Sequence, residues 1–262
     1  MTALIFDIET GPLYDEELEQ FFDYDETKVT GYHLIGKTFD PASVKCGNLK
    51  DTAKIEAKID EARKKFLDDQ EAANVALAMG RDAAWEQFKS KAALSPVTGW
   101  ILAVGWHCDQ WPQEKHFSTL TQYEMNEKTL IRLTLETIEK FIAAGHKVIG
   151  HNICNFDLPF LIRRAWMHDI RVPIAITIEL GIYRSPRILD TLKEWRCGVR
   201  DNSECGKLDY IAKFLGLGEK TGSGADFHKL FFGTPEENKQ AIDYLVNDVK
   251  LTYDVAKKMN LI

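Results

Sequence analysis

The order of strand-like and helix-like segments constrains the fold of this chain more than any other feature. Segments predicted as β-strands lie at 3–10, 100–108, 146–152 and 187–190, and a further one at 114–119 follows a hairpin turn around Pro112. Segments with apolar residues at helical spacing lie at 124–143, 157–168, 207–216 and from Thr234 onward. The order β-β-β-α-β-α-β-α-α predicts an α/β domain with a mixed central sheet flanked by helices.

Specific residues mark the ends of two predicted helices. Gly145 follows the last apolar position of the segment 124–143, which predicts a C-terminal cap. Thr234, Pro235 and Glu237 have the spacing of a capping box with proline at the first helical position. The last helix is therefore predicted to begin directly after Thr234.

A long segment at about 13–95 interrupts this order of strands and helices. Its 51–93 part is rich in Ala, Lys and Glu and has apolar residues at helical spacing: Ile55, Ile59 and Phe66. We therefore predict a helical insertion after the first strand, bent into a hairpin near Gly80. A solvated lid and a surface that grips substrate or a partner are both compatible with its composition. The chain, 1–262, is predicted to be one domain carrying this insertion.

Cysteine usage and hydropathy indicate the compartment. The five cysteines are odd in number and include no CxxC pair, which favours a reducing environment over a disulfide framework. No apolar run approaches the roughly 18 residues that a membrane span needs, and the N-terminus lacks the pattern of a signal peptide. We expect a cytoplasmic protein with no membrane partner.

Two acidic residues share one face of the first predicted strand. Asp7 and Glu9 are two residues apart, so both side chains project from the same side of the strand. A protein core rejects two adjacent carboxylates unless cations neutralise them. Taken alone, the pair is equally compatible with two solvated acids at a strand end.

Two further acidic residues follow at the junctions of later elements. Asp157 comes after the strand 146–152, at a strand-to-helix junction where open α/β sheets assemble binding sites. It is also suited to be the N-cap of the following helix. Asp248 lies within the last helix, and Tyr244 is one turn earlier on the same face. An exposed acid beside a half-buried tyrosine is the alternative for this pair.

Together these segments resemble the exonuclease motifs of family B DNA polymerase proofreading domains. DIET at 7–10 resembles the first motif, GHNICNFDLPFL at 150–161 the second, and YLVND at 244–248 the third. The resemblance covers about 1–12 and 97–260. The chain therefore looks like a Tyr-subtype member of the DEDD exonuclease superfamily. The His subtype has a histidine five residues before the last aspartate, where this sequence has Asp243.

This resemblance implies a ribonuclease H-like fold and a metal-dependent 3′→5′ exonuclease that releases nucleoside monophosphates from DNA. It implies two divalent ions, Mg²⁺ or Mn²⁺, at the scissile phosphate. By the same resemblance Asp7 bridges both ions, Glu9 and Asp157 complete the site, and Asp248 holds the ion that activates water. Tyr244 positions that water and the phosphate.

Five further residues are candidates for contact with nucleic acid: Thr10, Asn152, Phe156, Trp195 and Lys207. Thr10 is placed to meet the terminal nucleotide, whereas Asn152 and Phe156 are placed to meet its sugar and base. Phe156 is equally suited to the core. Trp195 and Lys207 have the chemistry to line a single-strand channel by stacking and charge. The formal net charge of −7 excludes little, because a carboxylate cluster that recruits cations needs only a local basic rim.

The expected partner is a single-stranded DNA 3′ end. No polymerase domain follows the third motif in this sequence, so we expect a stand-alone enzyme or one that acts with a separate polymerase or other replication or repair protein. An exoribonuclease is an alternative, because the metal chemistry does not distinguish the two sugars. An inactive nuclease-fold binding module is a second alternative.

Overall fold

A computed structural model describes residues 2–47, 51–111, 117–182, 184–199, 205–219, 222 and 224–262. Two compact units are distinguished. One unit combines Met1–Glu17 with Lys91–Ile262, and the other is Leu18–Ser90. The first unit contains all three predicted motifs.

The first unit is built on a mixed sheet of five strands within the described residues. They are β1 (Ala3–Pro12), β2 (Gly99–His107), β3 (Phe117–Thr121), β4 (Lys147–Gly150) and β5 (Ile188–Asp190). The strand order is β3-β2-β1-β4-β5, with β1 central. β2 pairs antiparallel with both β1 and β3, whereas β1, β4 and β5 pair in parallel. The predicted α/β class and mixed sheet are confirmed, and the predicted strand residues 114–116 lie outside the described ranges.

Nine α-helices lie within the described ranges. They are α1 (Asp15–Leu18), α2 (Thr52–Ala92), α3 (Glu127–Ala143), α4 (Asp157–Met167), α5 (Ile174–Gly181), α6 (Thr191–Trp195), α7 (Leu208–Phe214), α8 (Gly224–Phe231) and α9 (Pro235–Lys258). Short 3-10 helices lie at Glu19–Phe21, Glu26–Lys28, Tyr32–Leu34 and Pro41–Ser43. The sequence pattern did not predict α1, α5, α6 and α8, which have four to eight residues each. No described helix is long and apolar enough to cross a membrane.

The central strand packs helices on both faces. Phe6 and Ile8 belong to a hydrophobic cluster with residues of α3 and α4. Ile5 points to the other face and belongs to a second cluster with residues of α8 and α9. Because side chains alternate along a strand, Asp7 and Glu9 lie on the same face as Ile5. The acidic pair of β1 therefore faces the side of the sheet on which α9 packs.

The predicted helix ends are confirmed by their hydrogen bonds. Gly145 has a positive φ of 78°, and its N–H donates to the Ile142 carbonyl at 3.0 Å. The Thr234 hydroxyl accepts from the Glu237 N–H at 3.3 Å, and the Glu237 carboxylate accepts from the Thr234 N–H at 2.7 Å. This capping box fixes the start of α9, and hence the rotation with which Tyr244 and Asp248 are presented.

The second unit contains one continuous helix over most of its length. α2 has 41 residues and passes through Gly80, so the predicted hairpin near Gly80 is wrong. A side chain at position 80 would come within 2.5 Å of the Tyr24 hydroxyl. Gly80 therefore does not make a turn. Its missing side chain leaves room for Tyr24, which lies between the 3-10 helices Glu19–Phe21 and Glu26–Lys28. Phe22 also packs on α2, with its ring centroid 5.0 Å from that of Trp85.

A buried ion pair joins α3 to α4. The Arg164 Nη2 atom is 2.6 Å from the Glu127 Oε2 atom, and each side chain is only 5% exposed. The other Glu127 oxygen accepts from the Ile101 N–H at 2.9 Å. Removing one partner of such a pair leaves the other charge buried, which destabilises the fold more than the intact pair stabilises it.

We therefore expect Arg164→Met to lower the free energy of unfolding by about 3 kcal/mol. Arg132→Met is a matched control, because its ion pair with Glu136 has side chains that are 51% and 43% exposed. The control substitution should lower the free energy of unfolding by less than about 1 kcal/mol. Urea unfolding of both variants measures the difference, and equal losses would contradict the assignment of a buried charge pair.

Candidate active site

Three carboxylates from two elements meet on the α9 side of the sheet. Asp7 and Glu9 come from β1, and Asp248 comes from α9. One oxygen of each lies within 4.8 Å of the other two. Glu9 is 7% exposed and Asp248 is 2% exposed, whereas Asp7 is half-buried. Across the described ranges, this is the group of acidic, histidine or cysteine side chains whose spacing could hold an ion.

The donor chemistry of this group fits a hard divalent cation. Carboxylates this close together repel one another, and burial removes the water that would screen the repulsion. Oxygen ligands are the ones that Mg²⁺ and Mn²⁺ prefer. A bound cation would therefore stabilise the arrangement, in line with the expectation for the pair on β1.

Gly105 on β2 lets α9 approach the sheet closely. It pairs with Asp7 across the antiparallel ladder. A side chain at position 105 would come within 2.9 Å of both Leu245 Cγ and Val249 Cγ2 of α9. Contacts this short are not tolerated, so the absence of a side chain keeps α9 against the strand. Asp248 adjoins Val249, so the same close approach of α9 brings its carboxylate to those of β1.

The pairing of β1 with β2 is irregular immediately after the acidic pair. Glu9 pairs with Ala103 but Thr10 pairs with Ile101, so Leu102 has no partner and forms a bulge. Thr10 is buried, and its hydroxyl donates to the Ala93 carbonyl at 2.7 Å. This leaves the backbone at Thr10, rather than its hydroxyl proton, for the predicted nucleotide contact.

Asp157 lies beside this group rather than within it. It is 2% exposed, and its Oδ1 accepts from the Ile8 N–H at 3.1 Å. Its side chain also hydrogen-bonds to Asp7. Burial, together with the nearby Asp190 charge, raises the pKa of Asp157 to about 7. The structure thus brings three of the four predicted acids together and holds the fourth next to Asp7.

Asp157 does not cap α4 in the way that the alternative assumed. It is the first residue of α4, and Phe156 occupies the N-cap position without a side-chain hydrogen bond. The N-cap interpretation is therefore wrong. The carboxyl is directed to the β1 backbone, which places it at the predicted motif instead of at the helix end.

Tyr244 is one turn before Asp248 and hydrogen-bonds to it. Burial, followed by the negative charges of Asp248 and Glu9, raises the pKa of the phenol well above its ordinary value. The hydroxyl is therefore neutral and acts as a donor at neutral pH. A side chain at Gly224, the first residue of α8, would lie 3.7 Å from both Glu9 Oε2 and the Tyr244 hydroxyl. The unpredicted helix α8 thus begins at the edge of the site.

Asp190 organises the turn that follows β4, and the sequence analysis missed it. Its carboxylate is 2% exposed and accepts from the Asn152 N–H at 2.9 Å and the Cys154 N–H at 3.1 Å. Asn152 adopts the left-handed conformation, with φ 62°. The feature of the sequence that could have indicated this role is the position of Asp190 at the end of the predicted strand 187–190. Its role depends on β5 pairing with β4, which the sequence alone does not show.

The remaining predicted contact residues have different environments. Phe156 is half-buried and packs on the core, with its ring 5.6 Å from that of Phe160. Trp195 is half-buried and packs at 5.4 Å from the ring of Phe214. Lys207 is exposed and immediately precedes α7. Lys207 is the charged residue among these three, and its side chain is exposed to solvent.

A family model described as the RNase H superfamily matches residues 93–260, which is more than half of the chain. The chain belongs to the RNase H superfamily. The matched range includes Asp157, Tyr244 and Asp248, whereas Asp7 and Glu9 lie before it. Nucleases of the RNase H superfamily generally use divalent metals, in agreement with the acidic group described above. A nuclease-type function follows from this membership.

The fold is similar to that of a solved DNA polymerase. A family B DNA polymerase from the hyperthermophilic archaeon Pyrobaculum calidifontis superimposes with a TM-score of 0.50 at 16% sequence identity. The similarity covers 66% of this chain and 23% of the polymerase chain, so this protein spans about a quarter of that length. None of the curated proteins compared with the sequence matches it. The family match and the structural similarity support the DEDD-type exonuclease-like fold that the motifs predicted.

Proposed function

We propose that this protein is a divalent-metal-dependent 3′→5′ exonuclease that releases nucleoside monophosphates from single-stranded DNA ends. The observation that carries this proposal is the group of Asp7, Glu9 and Asp248 with the Tyr244 hydroxyl bonded to it. Membership of the RNase H superfamily supports nuclease chemistry at such a group. The order of the three sequence motifs and the residues that form them favour the Tyr-subtype exonucleases.

Asp7, Glu9 and Asp248 would hold two ions, with Asp157 completing the set through its place beside Asp7. The chemistry that bound Mg²⁺ or Mn²⁺ supplies at such a site is activation of a water and neutralisation of charge on the scissile phosphate. Asp157 must lose its proton to join the ligands, because burial holds its pKa at about 7 in the metal-free protein. Through the bound ions, the carboxylates of β1 and α9 would set the position of the scissile phosphate.

Tyr244 serves as an orienting donor in this proposal. Its pKa is raised by burial and by the neighbouring carboxylates, so it keeps its proton and is unsuited to act as a base. The hydroxyl lies on the Glu9 side of α9, near the start of α8. When Asp248 holds an ion, the hydroxyl can donate its hydrogen bond to the attacking water or to a phosphate oxygen instead of to Asp248.

Tyr244→Phe should lower turnover by about 10²–10³ while leaving the affinity for DNA nearly unchanged. Only the hydroxyl is lost, and the ring keeps its packing against Phe227 at 6.4 Å. Single-turnover digestion of a labelled oligonucleotide and an equilibrium binding measurement separate the two effects. Unchanged turnover would assign the tyrosine a purely structural role.

Digestion of labelled oligonucleotides tests the proposed function directly. Single-stranded DNA, duplex DNA and RNA are incubated with the protein in Mg²⁺, in Mn²⁺ or in EDTA. We expect a 5′-labelled DNA strand to shorten stepwise, a 3′ label to be released at once as a mononucleotide, and EDTA to stop both. Faster digestion of RNA would identify an exoribonuclease instead. Metal binding without hydrolysis of any substrate would identify an inactive module.

A further inference from the structure

Two aromatic side chains project from the outer face of α7. Tyr210 is 53% exposed and Phe214 is 72% exposed. They are four residues apart, so they lie on the same face of the helix. The opposite face, with Leu208 and Ile211, is buried. Burial of α7 therefore does not account for the two exposed rings.

Trp195 of α6 packs against one of these two rings. Its ring packs edge-on against Phe214, with the centroids 5.4 Å apart and the planes at 71°. Trp195 is itself half-buried against the hydrophobic cluster that holds α7. We call the side chains of Tyr210, Phe214 and Trp195 the α7 aromatic face. A ring held in this way loses little conformational entropy when a ligand stacks on it.

Basic side chains lie at the start of α7. Lys207 is exposed and directly precedes the helix. The Arg196 Nη2 atom lies 3.7 Å from the position that a side chain at Gly206 would occupy, so its guanidinium is at the same end. Both side chains are positively charged, in a chain with a formal net charge of −7. They provide the charge complementarity that a phosphate backbone requires.

Two connections join the start of α7 to elements that carry the site's carboxylates. The His151 Nε2 atom is 2.8 Å from the Gly206 carbonyl, which ties the start of α7 to the turn after β4. Leu208 shares a hydrophobic cluster with Leu251, which is one turn after Asp248 on α9. The basic end of α7 is thus packed against the turn that leads to Asp157 and against the helix that carries Asp248.

We propose that the α7 aromatic face binds bases of a single-stranded substrate whose 3′ end occupies the carboxylate site. Bases stack on Phe214 and Tyr210, while Lys207 and Arg196 contact phosphates. Because the bases of a duplex are already stacked and paired, this surface selects single strands. The inference rests on the proposed function, and it adds the residues that determine substrate choice.

Binding in EDTA tests the surface without any turnover. Fluorescence anisotropy of a labelled oligothymidylate gives Kd for wild type, Phe214→Ala and Tyr210→Ala. Each loss of a stacked base should raise Kd about tenfold, and Phe214→Trp should restore the affinity. Trp166→Ala is the matched control, because Trp166 is a 62% exposed aromatic on α4. Equal Kd values for Phe214→Ala and the control would overturn the proposal, as would an equal loss of affinity for a blunt duplex.

Hydrolysis then separates this inference from the proposed function. The p-nitrophenyl ester of thymidine 5′-monophosphate offers the reacting phosphate but no strand. Phe214→Ala should hydrolyse the ester at the wild-type rate, whereas its KM for oligothymidylate should rise about tenfold with kcat retained. If the variant slows ester hydrolysis as much as strand hydrolysis, the ring supports the site and the inference is wrong. If wild type hydrolyses neither substrate, the proposed function fails, and the binding measurement still decides on the surface.

Discussion

Asp248→Asn protein is expected to lose turnover by at least about 10³-fold, a larger loss than the removal of one orienting donor. The same protein should unfold at a higher temperature than wild type in EDTA. Asn keeps the shape of the side chain but removes one of three negative charges whose oxygens lie within 4.8 Å of one another. The change therefore relieves repulsion in the metal-free protein and removes a ligand in the loaded one.

Asp243→Asn is the control for this experiment, because Asp243 lies on the exposed side of the same helix. It should retain turnover and unfold as wild type does. Thermal unfolding is measured in EDTA and in increasing Mn²⁺, since an ion that binds only the folded state raises its melting temperature. The Asp248→Asn protein should show little of this Mn²⁺-dependent increase. Full stabilisation by Mn²⁺ in that variant would argue against Asp248 as a ligand.

Gly105→Ala is expected to weaken both Mn²⁺ binding and turnover, although residue 105 has no functional group of its own. The added methyl group would meet Leu245 and Val249 at 2.9 Å, so these side chains must move, and we expect them to carry α9 away from β2. Overpacking of this kind costs about 1–3 kcal/mol in stability. The shift also separates Asp248 from Asp7, which pairs with Gly105. Calorimetric titration with Mn²⁺ and digestion rates report the consequence for the site.

A second substitution distinguishes positioning from simple destabilisation. Val249→Ala removes part of the side chain that the new methyl group would meet, so the double variant should recover Mn²⁺ affinity relative to Gly105→Ala. Gly181→Ala is the matched control, because a side chain there meets nothing within 4 Å. Recovery of stability without recovery of Mn²⁺ affinity would show that Gly105 does not set the carboxylate spacing.

Those parts of the fold that depend on local patterns were predictable from the sequence. The alternation in β1 correctly placed Asp7 and Glu9 on the face opposite Phe6 and Ile8. The capping box at Thr234 correctly marked the start of α9. By contrast, the low helix propensity of glycine predicts a turn at Gly80, where α2 is continuous. The contact with Tyr24 that explains this glycine joins distant parts of the chain and leaves no local pattern.

The same distinction applies to the candidate site. Asp7, Glu9 and Asp248 lie on regular elements, where periodicity shows which way a side chain points, and the structure brings them together. Gly105, Asp190 and the start of α8 became visible only from tertiary contacts. Each acts by allowing or fixing the approach of another element. Such roles depend on register and packing distance, which propensities do not encode.

The carboxylate group joins β1 to α9, and this has a consequence for how activity arises during folding. Asp7 and Asp248 are 241 positions apart (248 − 7), yet their oxygens lie within 4.8 Å. Contacts between residues so far apart in the sequence form late in folding, because the entropy of closing a long loop is lost before the contact stabilises the chain. A partly folded chain, or one in which α9 has transiently detached, lacks the complete group. Under the proposed function, nuclease activity is confined to molecules in which the first strand and the last helix have already docked.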